Sequence, residues 1–229
     1  MKLNAAILVT GFEPNDDGLN ASKMLVESLR DDPPASLLKI SEPIHYVIMP
    51  PSTSQLRTGI LEHISRYKPD YCVFTGQAPG RNKITFERLA TNLKDFGSPD
   101  GEGNQPHGDF IEMDGPAAYW SNLPNPAMLV ERLNDDGIPA AFSNHGGNHL
   151  CNQIPYHGLH HAHTEGLNLK CGFMHIPPLP IQAQKQWLGT PFIPLSMARD
   201  ALALVVVALA DTLPSNRFNL MRADNTHAD

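Results

Sequence analysis

Short apolar runs alternate with segments of helical spacing along most of this chain, and that alternation limits the folds open to it. Residues 5–10, 71–75, 140–143 and 169–176 are compact, mostly apolar stretches. Continuous runs of that length predict strands buried on both faces. Residues 37–40 and 46–49 are two further short strand candidates. Between them, residues 22–29 carry Met24, Leu25 and Leu29 at helical spacing before Asp31-Asp32-Pro33-Pro34 stops the run. Residues 54–68 set Leu56, Ile60, Leu61 and Ile64 on one face, and helices are also expected over 126–133 and 196–212. Residues 97–107, rich in Gly, Pro, Asp and Asn, read as loop. The pattern predicts a single α/β domain, a mostly parallel twisted sheet flanked by helices on both faces. That domain is expected over residues 1–213, with a polar tail at 214–229. Ligands of such sheets sit outside the carboxyl ends of the strands.

Charge and cysteine content narrow the function classes. With 229 residues and a formal charge of -7, the chain has room for a substantial core and lacks the basic surface that nucleic acid requires. Three cysteines argue against a disulfide framework and for a reducing, cytoplasmic setting. The start of the chain lacks the small-residue cleavage pattern of a signal peptide. The longest apolar run, residues 201–210, is half of the ~20 residues a bilayer span needs, so no membrane role is expected.

One cysteine stands in unusual company. The segment Ser143-Asn144-His145-Gly146-Gly147-Asn148-His149-Leu150-Cys151-Asn152 is a loop of small and polar residues leading towards Pro155. A proline is tolerated in a helix's first turn, which predicts a helix beginning near Asn152 with that residue as N-cap. A thiol placed there feels the positive end of the helix dipole, which favours the thiolate. The alternative is a buried structural cysteine behaving as a small hydrophobe, the reading adopted for Cys72 and Cys171 inside their apolar runs.

Five further segments accompany this one. They are Val9-Thr10-Gly11-Phe12-Glu13-Pro14, Gly76-Gln77-Ala78-Pro79-Gly80-Arg81 running on through Glu87 to Asn92, and Asp100-Gly101-Glu102-Gly103-Asn104-Gln105-Pro106. Asp114-Gly115-Pro116-Ala117-Ala118-Tyr119-Trp120-Ser121 and Cys171-Gly172-Phe173-Met174-His175-Ile176-Pro177-Pro178-Leu179-Pro180 complete the set. In this order the six resemble the pyroglutamyl peptidase I family, also called pyrrolidone-carboxylate peptidase, from about residue 5 to residue 212. The resemblance implies a cysteine peptidase that needs no cofactor and no metal. It implies Cys151 as nucleophile, His175 as general base and acid, and Glu87 as the carboxylate orienting the imidazole. Phe12 and Gln77, with Asn15, His149 and Leu150, are the expected substrate contacts. The expected partners are small peptides blocked at the N-terminus by 5-oxoproline. Relatives are often oligomeric, so a homo-oligomer is compatible with the resemblance, although the sequence marks no interface.

Taken singly, each residue has a plainer reading: His175 as a core histidine between Met174 and Ile176, Glu87 beside Arg88 as a surface charge. The chain also departs from the family pattern. Asn15 stands where relatives carry a second phenylalanine, and His149 stands where they carry an aromatic residue, so the pocket is more polar. Phe96-Gly97-Ser98 replaces the family's Ala-Arg-Ile. If that arginine stabilises the oxyanion, Gly97 cannot replace it, and the Cys151 backbone N–H is the remaining donor. These departures keep open an altered acyl specificity or a non-catalytic ligand binder on the same fold. A metal reading also exists, since residues 157–163 hold four histidines with His157 and His161 one helical turn apart. The glutamate of a zinc-peptidase helix is missing there. Residues 76–81 lack both the Walker ending and dinucleotide-loop glycine spacing.

Overall fold

Six strands form the central sheet of the computed structural model, which describes residues 5–15, 18–185 and 189–213. They are β1 (Ile7–Phe12), β2 (Ile44–Met49), β3 (Tyr71–Gln77), β4 (Ile84–Glu87), β7 (Ala140–Ser143) and β8 (Lys170–Ile176), in the order β2-β1-β3-β8-β4-β7. β2, β1, β3 and β8 are mutually parallel. β4 runs antiparallel to β8, and β7 pairs with β4 in parallel, so the last two strands point the other way. A short antiparallel pair, β5 (Leu89–Thr91) and β6 (Ala118–Trp120), lies outside this sheet. The mostly parallel α/β sheet is thus as expected, with one reversal that the apolar pattern did not signal.

Alternation along the strands divides the core in two. Ile7, Val9, Val73, Phe86 and Met174 face α1 (Ala21–Asp31), α4 (Pro126–Asp135) and α7 (Leu195–Ala210), the last helix after the short α6 (Pro180–Lys185). Leu8, Cys72, Phe74, Cys171 and Phe173 face α3 (Thr53–Tyr67) and α5 (Leu150–Thr164). A strand sends successive side chains to opposite faces. The same parity turns Gly76, Glu87 and His175 towards α5. Cys72 and Cys171 are fully buried register partners on neighbouring strands, as packing residues should be.

Two local expectations are corrected. Residues 37–40, expected as a strand, instead span the end of a short helix α2 (Ala35–Leu38), which starts after Pro34 and buries Leu37, and the turn that follows it. Three apolar residues in a stretch of four cannot be distinguished from one helical turn by periodicity. The second concerns the start of α5, which is Leu150 with His149 in the N-cap position, placing Pro155 inside the helix. Asn152 does not cap. Its side chain reaches across to the segment of β5, accepting from the Thr91 N–H (2.9 Å) and donating to the Thr91 and Leu93 carbonyls (2.8 and 3.0 Å). The last helical expectation, 196–212, is met by α7, whose face of Ala201, Leu202, Val205, Val206 and Leu209 is buried. Among the described residues no helix is long and apolar enough to cross a membrane. The polar tail expected at 214–229 lies outside the described residues.

Candidate active site

His175 is the last residue but one of β8, and its backbone lies in register with Gly76 on β3 and Thr85 on β4. Glu87 ends β4, two residues further along that strand and on the same face as Thr85. The two side chains meet directly: His175 Nδ1 is 2.8 Å from Glu87 Oε1, with both side chains almost entirely shielded from solvent. A carboxylate accepting from Nδ1–H fixes the tautomer and presents Nε2 as the working nitrogen. Phe173 packs its ring edge-on against the imidazole at 4.6 Å and limits its tilt.

Cys151 enters from the other side of this face, as the second residue of α5. It comes close because β3 has glycine at position 76: a Cβ there would stand 2.7 Å from both Cys151 Sγ and Phe173 Cζ. The sulfur therefore sits above Gly76, the register partner of His175. No hydrogen bond joins sulfur and imidazole in this structure; they are neighbours across a strand pair. The Cys151 N–H lies in the first turn of α5, where backbone donors have no intrahelical partner.

Electrostatics overturn one expectation. A helix N-terminus was expected to lower the thiol's pKa. Instead burial pushes it up to about 12, reinforced by the Glu87 carboxylate and opposed only by Arg81 and the thiol's own backbone N–H. Desolvation of the half-buried Cys151 thiol outweighs the positive end of the helix dipole. Burial likewise lowers the pKa of His175, against the pull of Glu87. For Glu87, burial works against ionisation, but the His175 hydrogen bond prevails, helped by Ser143 and the Arg81 charge, and the carboxyl stays below its ordinary value. The site thus holds a neutral thiol, a neutral imidazole and a charged carboxylate.

Beside the sulfur opens a cavity of about 500 Å³ lined by Phe12, Asn15, Leu19, Gln77, Ser98 and His149, with Gly97, Leu150 and Cys151 among its other walls. All five expected contact residues therefore border one space with the thiol. Their states differ. Gln77 Oε1 is already taken, accepting from the Ala21 N–H (2.9 Å) and from Gln182 Nε2 (2.8 Å). His149 stacks on Phe96 at 3.8 Å and donates from Nε2 to the Ser98 carbonyl at 3.2 Å, a bond that requires a proton on that nitrogen. Gly97 is exposed, with open space where a side chain would project.

The histidine stretch does not gather around one point. His157 is buried against Glu112 (3.2 Å), His160 accepts or donates with the Tyr119 hydroxyl (2.9 Å), and His161 borders a different groove. Among the described residues no three potential ligands converge. Sequence reasoning missed Arg81, which binds Glu87 and the nucleophile loop. Opposite charges six residues apart give no pairing signal until the turn between them is known.

A thiol at a helix start, set beside a carboxylate-held imidazole on an α/β sheet, is the equipment of a cysteine-type hydrolase. Comparison with known proteins narrows this. The pyroglutamyl peptidase family model matches residues 5–212. Pyrrolidone-carboxylate peptidase of Thermoanaerobacter sp. (strain X514) is 35% identical over 205 residues, covering 89% of this chain and 95% of that protein. The protein of the same name from Bacillus thuringiensis (strain Al Hakam) is 37% identical over 201 residues, covering 87% and 90%. The crystal structure of Bacillus amyloliquefaciens pyroglutamyl peptidase I superposes with a TM-score of 0.80 at 33% identity, covering 90% of this chain and 97% of that one. A mutant pyrrolidone carboxyl peptidase from the hyperthermophile Pyrococcus furiosus gives 0.81 at 32% identity, covering 91% and 100%. The chain belongs to the pyroglutamyl peptidase family of cysteine peptidases.

Proposed function

We propose that this chain hydrolyses the bond after an N-terminal 5-oxoproline, with Cys151 as nucleophile, His175 as general base and acid, and Glu87 orienting the imidazole. The observation that carries the reading is the buried 2.8 Å Glu87–His175 hydrogen bond on the face over which Cys151 Sγ is seated. On attack, the thiol proton passes to His175 Nε2 as sulfur bonds to the carbonyl carbon. The oxyanion faces the Cys151 backbone N–H. His175 then protonates the departing amine, leaving a thioester. Water adds to the thioester carbonyl and gives its proton to His175, which returns one to sulfur as the 5-oxoproline acid leaves. The charged Glu87 supports the imidazolium formed in both halves.

Phe12, Asn15, Gln77, His149 and Leu150 would surround the lactam ring, and the cavity of about 500 Å³ has room for it. Peptides with a blocked N-terminus are the partners this predicts, in a cytoplasmic protein of residues 1–213 followed by a polar tail. A homo-oligomer is compatible with the reading, and size-exclusion chromatography with light scattering decides it.

The test is hydrolysis of a fluorogenic pyroglutamyl amide. Wild type should turn it over and Cys151→Ala should not; turnover that survives the substitution would sink the nucleophile assignment. A second reading, an altered acyl group, is favoured by the polar ring of His149 in the pocket wall. Its signature is no turnover of the amide while Cys151 is still alkylated ahead of the other two cysteines.

A further inference from the structure

Glu87 would be an expensive carboxylate to keep charged if His175 were its only partner. It is 4% exposed and its Oε2 has no hydrogen-bond partner, so its ionised form rests on the few groups that face Oε1 and on Ser143 beside it. A buried, uncompensated charge neutralises by taking up a proton. A fixed positive charge to set against it comes from the turn between β3 and β4. Arg81 Nη1 lies 2.5 Å from Glu87 Oε1, the oxygen that also binds His175, and hydrogen-bonds the Thr85 hydroxyl. The other end of the same guanidinium, Nη2, donates to the His145 carbonyl at 2.9 Å. His145 belongs to the loop that runs from β7 to Cys151.

We propose that Arg81 is a positioning residue for the reaction: its planar fork clamps the Glu87 carboxylate to the loop that delivers the nucleophile. One side chain thereby ties the strand that carries Glu87 to the loop that leads to Cys151, and it shares with His175 the same Glu87 oxygen. The proposal rests on the catalytic roles given above for those residues.

The charged or titratable groups around Glu87 are few. His175 faces it from β8, Arg81 from the β3–β4 turn and Cys151 from α5, while its register partner on β7, Ser143, is uncharged but also favours the carboxylate. Arg81 stabilises the carboxylate, disfavours the imidazolium and eases thiol ionisation. Loss of its charge therefore raises the pKa of Glu87 and of His175 together. Both changes move the acid limb of activity to higher pH. Lysine keeps the charge but has no fork with which to hold a carboxylate and a carbonyl at once.

The experiment compares wild type, Arg81→Lys and Arg81→Gln by two readouts. These are the pH profile of kcat/KM on a pyroglutamyl amide and the rate of Cys151 alkylation by iodoacetamide, which needs no substrate. In Arg81→Gln the acid limb should move up by about half a pH unit, a loss of about threefold in kcat/KM below the limb. Alkylation at pH 7 should slow in parallel. Arg81→Lys should return the limb towards wild type while leaving kcat depressed, and it supplies the folded comparison if the glutamine variant is unstable. Profiles and alkylation rates in Arg81→Gln that superimpose on wild type would overturn the proposal. If the amide is not a substrate at all, the alkylation rates still decide it, separating its failure from that of the substrate assignment.

Discussion

Cys151 Sγ lies 2.7 Å from the point where a side chain on Gly76 would begin, and Phe173 Cζ lies equally near that point. The missing Cβ is what lets a thiol from α5 settle onto a central strand beside His175. Gly76→Ala should therefore displace the sulfur, the Phe173 ring or both. Overpacking of this kind costs about 1–3 kcal/mol of stability, and a misplacement near 1 Å costs about 100-fold in rate. Thermal unfolding and amide hydrolysis together check this. A variant as stable and as active as wild type would mean the sulfur works from another position.

The ionisation states at the site give a pH signature. With the thiol pushed up to about 12 by burial, the free enzyme carries little thiolate at neutral pH. The rate of Cys151 alkylation should climb steadily from pH 6 to pH 9. A preformed thiolate–imidazolium pair would instead react at a level rate across that range. The same burial lowers His175 below its ordinary 6.5. A base with a depressed pKa is still unprotonated where an ordinary histidine is charged, so the acid limb of kcat/KM should fall below pH 6.5. A limb at or above 7 would contradict the buried, neutral imidazole.

Much of this arrangement was legible in the residues, and the parts that were not share a cause. Strands β1, β3, β7 and β8 are short apolar runs, and α3 and α7 keep helical spacing, so local pattern sufficed for them. The β4 strand reads Ile84-Thr85-Phe86-Glu87, with its polar positions turned towards the site. A buried glutamate breaks the apolar signature of a buried strand, which is why this strand and its reversed direction went unread. Asn152 misled for a similar reason: a residue with N-cap chemistry is used for a contact with Thr91 and Leu93, sixty residues away. The thiol's pKa required burial, which sequence position does not reveal. Cys151, His175 and Glu87 were reached through their joint resemblance to a family, since each alone has a commoner structural explanation.

His149 offers a direct probe of specificity. Its ring is stacked on Phe96 and borders the cavity, while its hydrogen bond goes to the Ser98 carbonyl on an exposed loop. Phenylalanine in its place keeps the stacking and presents more apolar surface to a bound lactam ring. His149→Phe should improve binding of a pyroglutamyl amide by ~1 kcal/mol, about fivefold in KM, with kcat little changed. An increase in KM would show that the imidazole itself makes a polar contact with the substrate.

Away from the site, Glu112 links two helices that pack against each other on the α5 face. Its Oε1 accepts from His157 Nδ1 on α5 at 3.2 Å and from Arg57 Nε on α3 at 2.7 Å. The His157 hydrogen bond is the main reason its carboxyl falls from an ordinary 4.5 to about 2, with Arg57 adding to the effect against the cost of burial. A carboxyl whose pKa is lower in the folded state stabilises the fold at pH values above the unfolded pKa. That contribution fades as pH falls from about 4.5 towards about 2. Glu112→Gln removes the charge while keeping the shape. Its side chain is 19% exposed, so a loss of about 1 kcal/mol at pH 7 is expected rather than the larger cost of a fully buried pair. Urea unfolding of both proteins at pH 7, 4 and 3 gives the answer. The gap in midpoint should narrow from pH 4 to pH 3, where Glu112 becomes protonated in the unfolded chain ahead of the folded one. A gap that stays constant over that range would mean the substitution acts through packing and not through the ionised carboxylate.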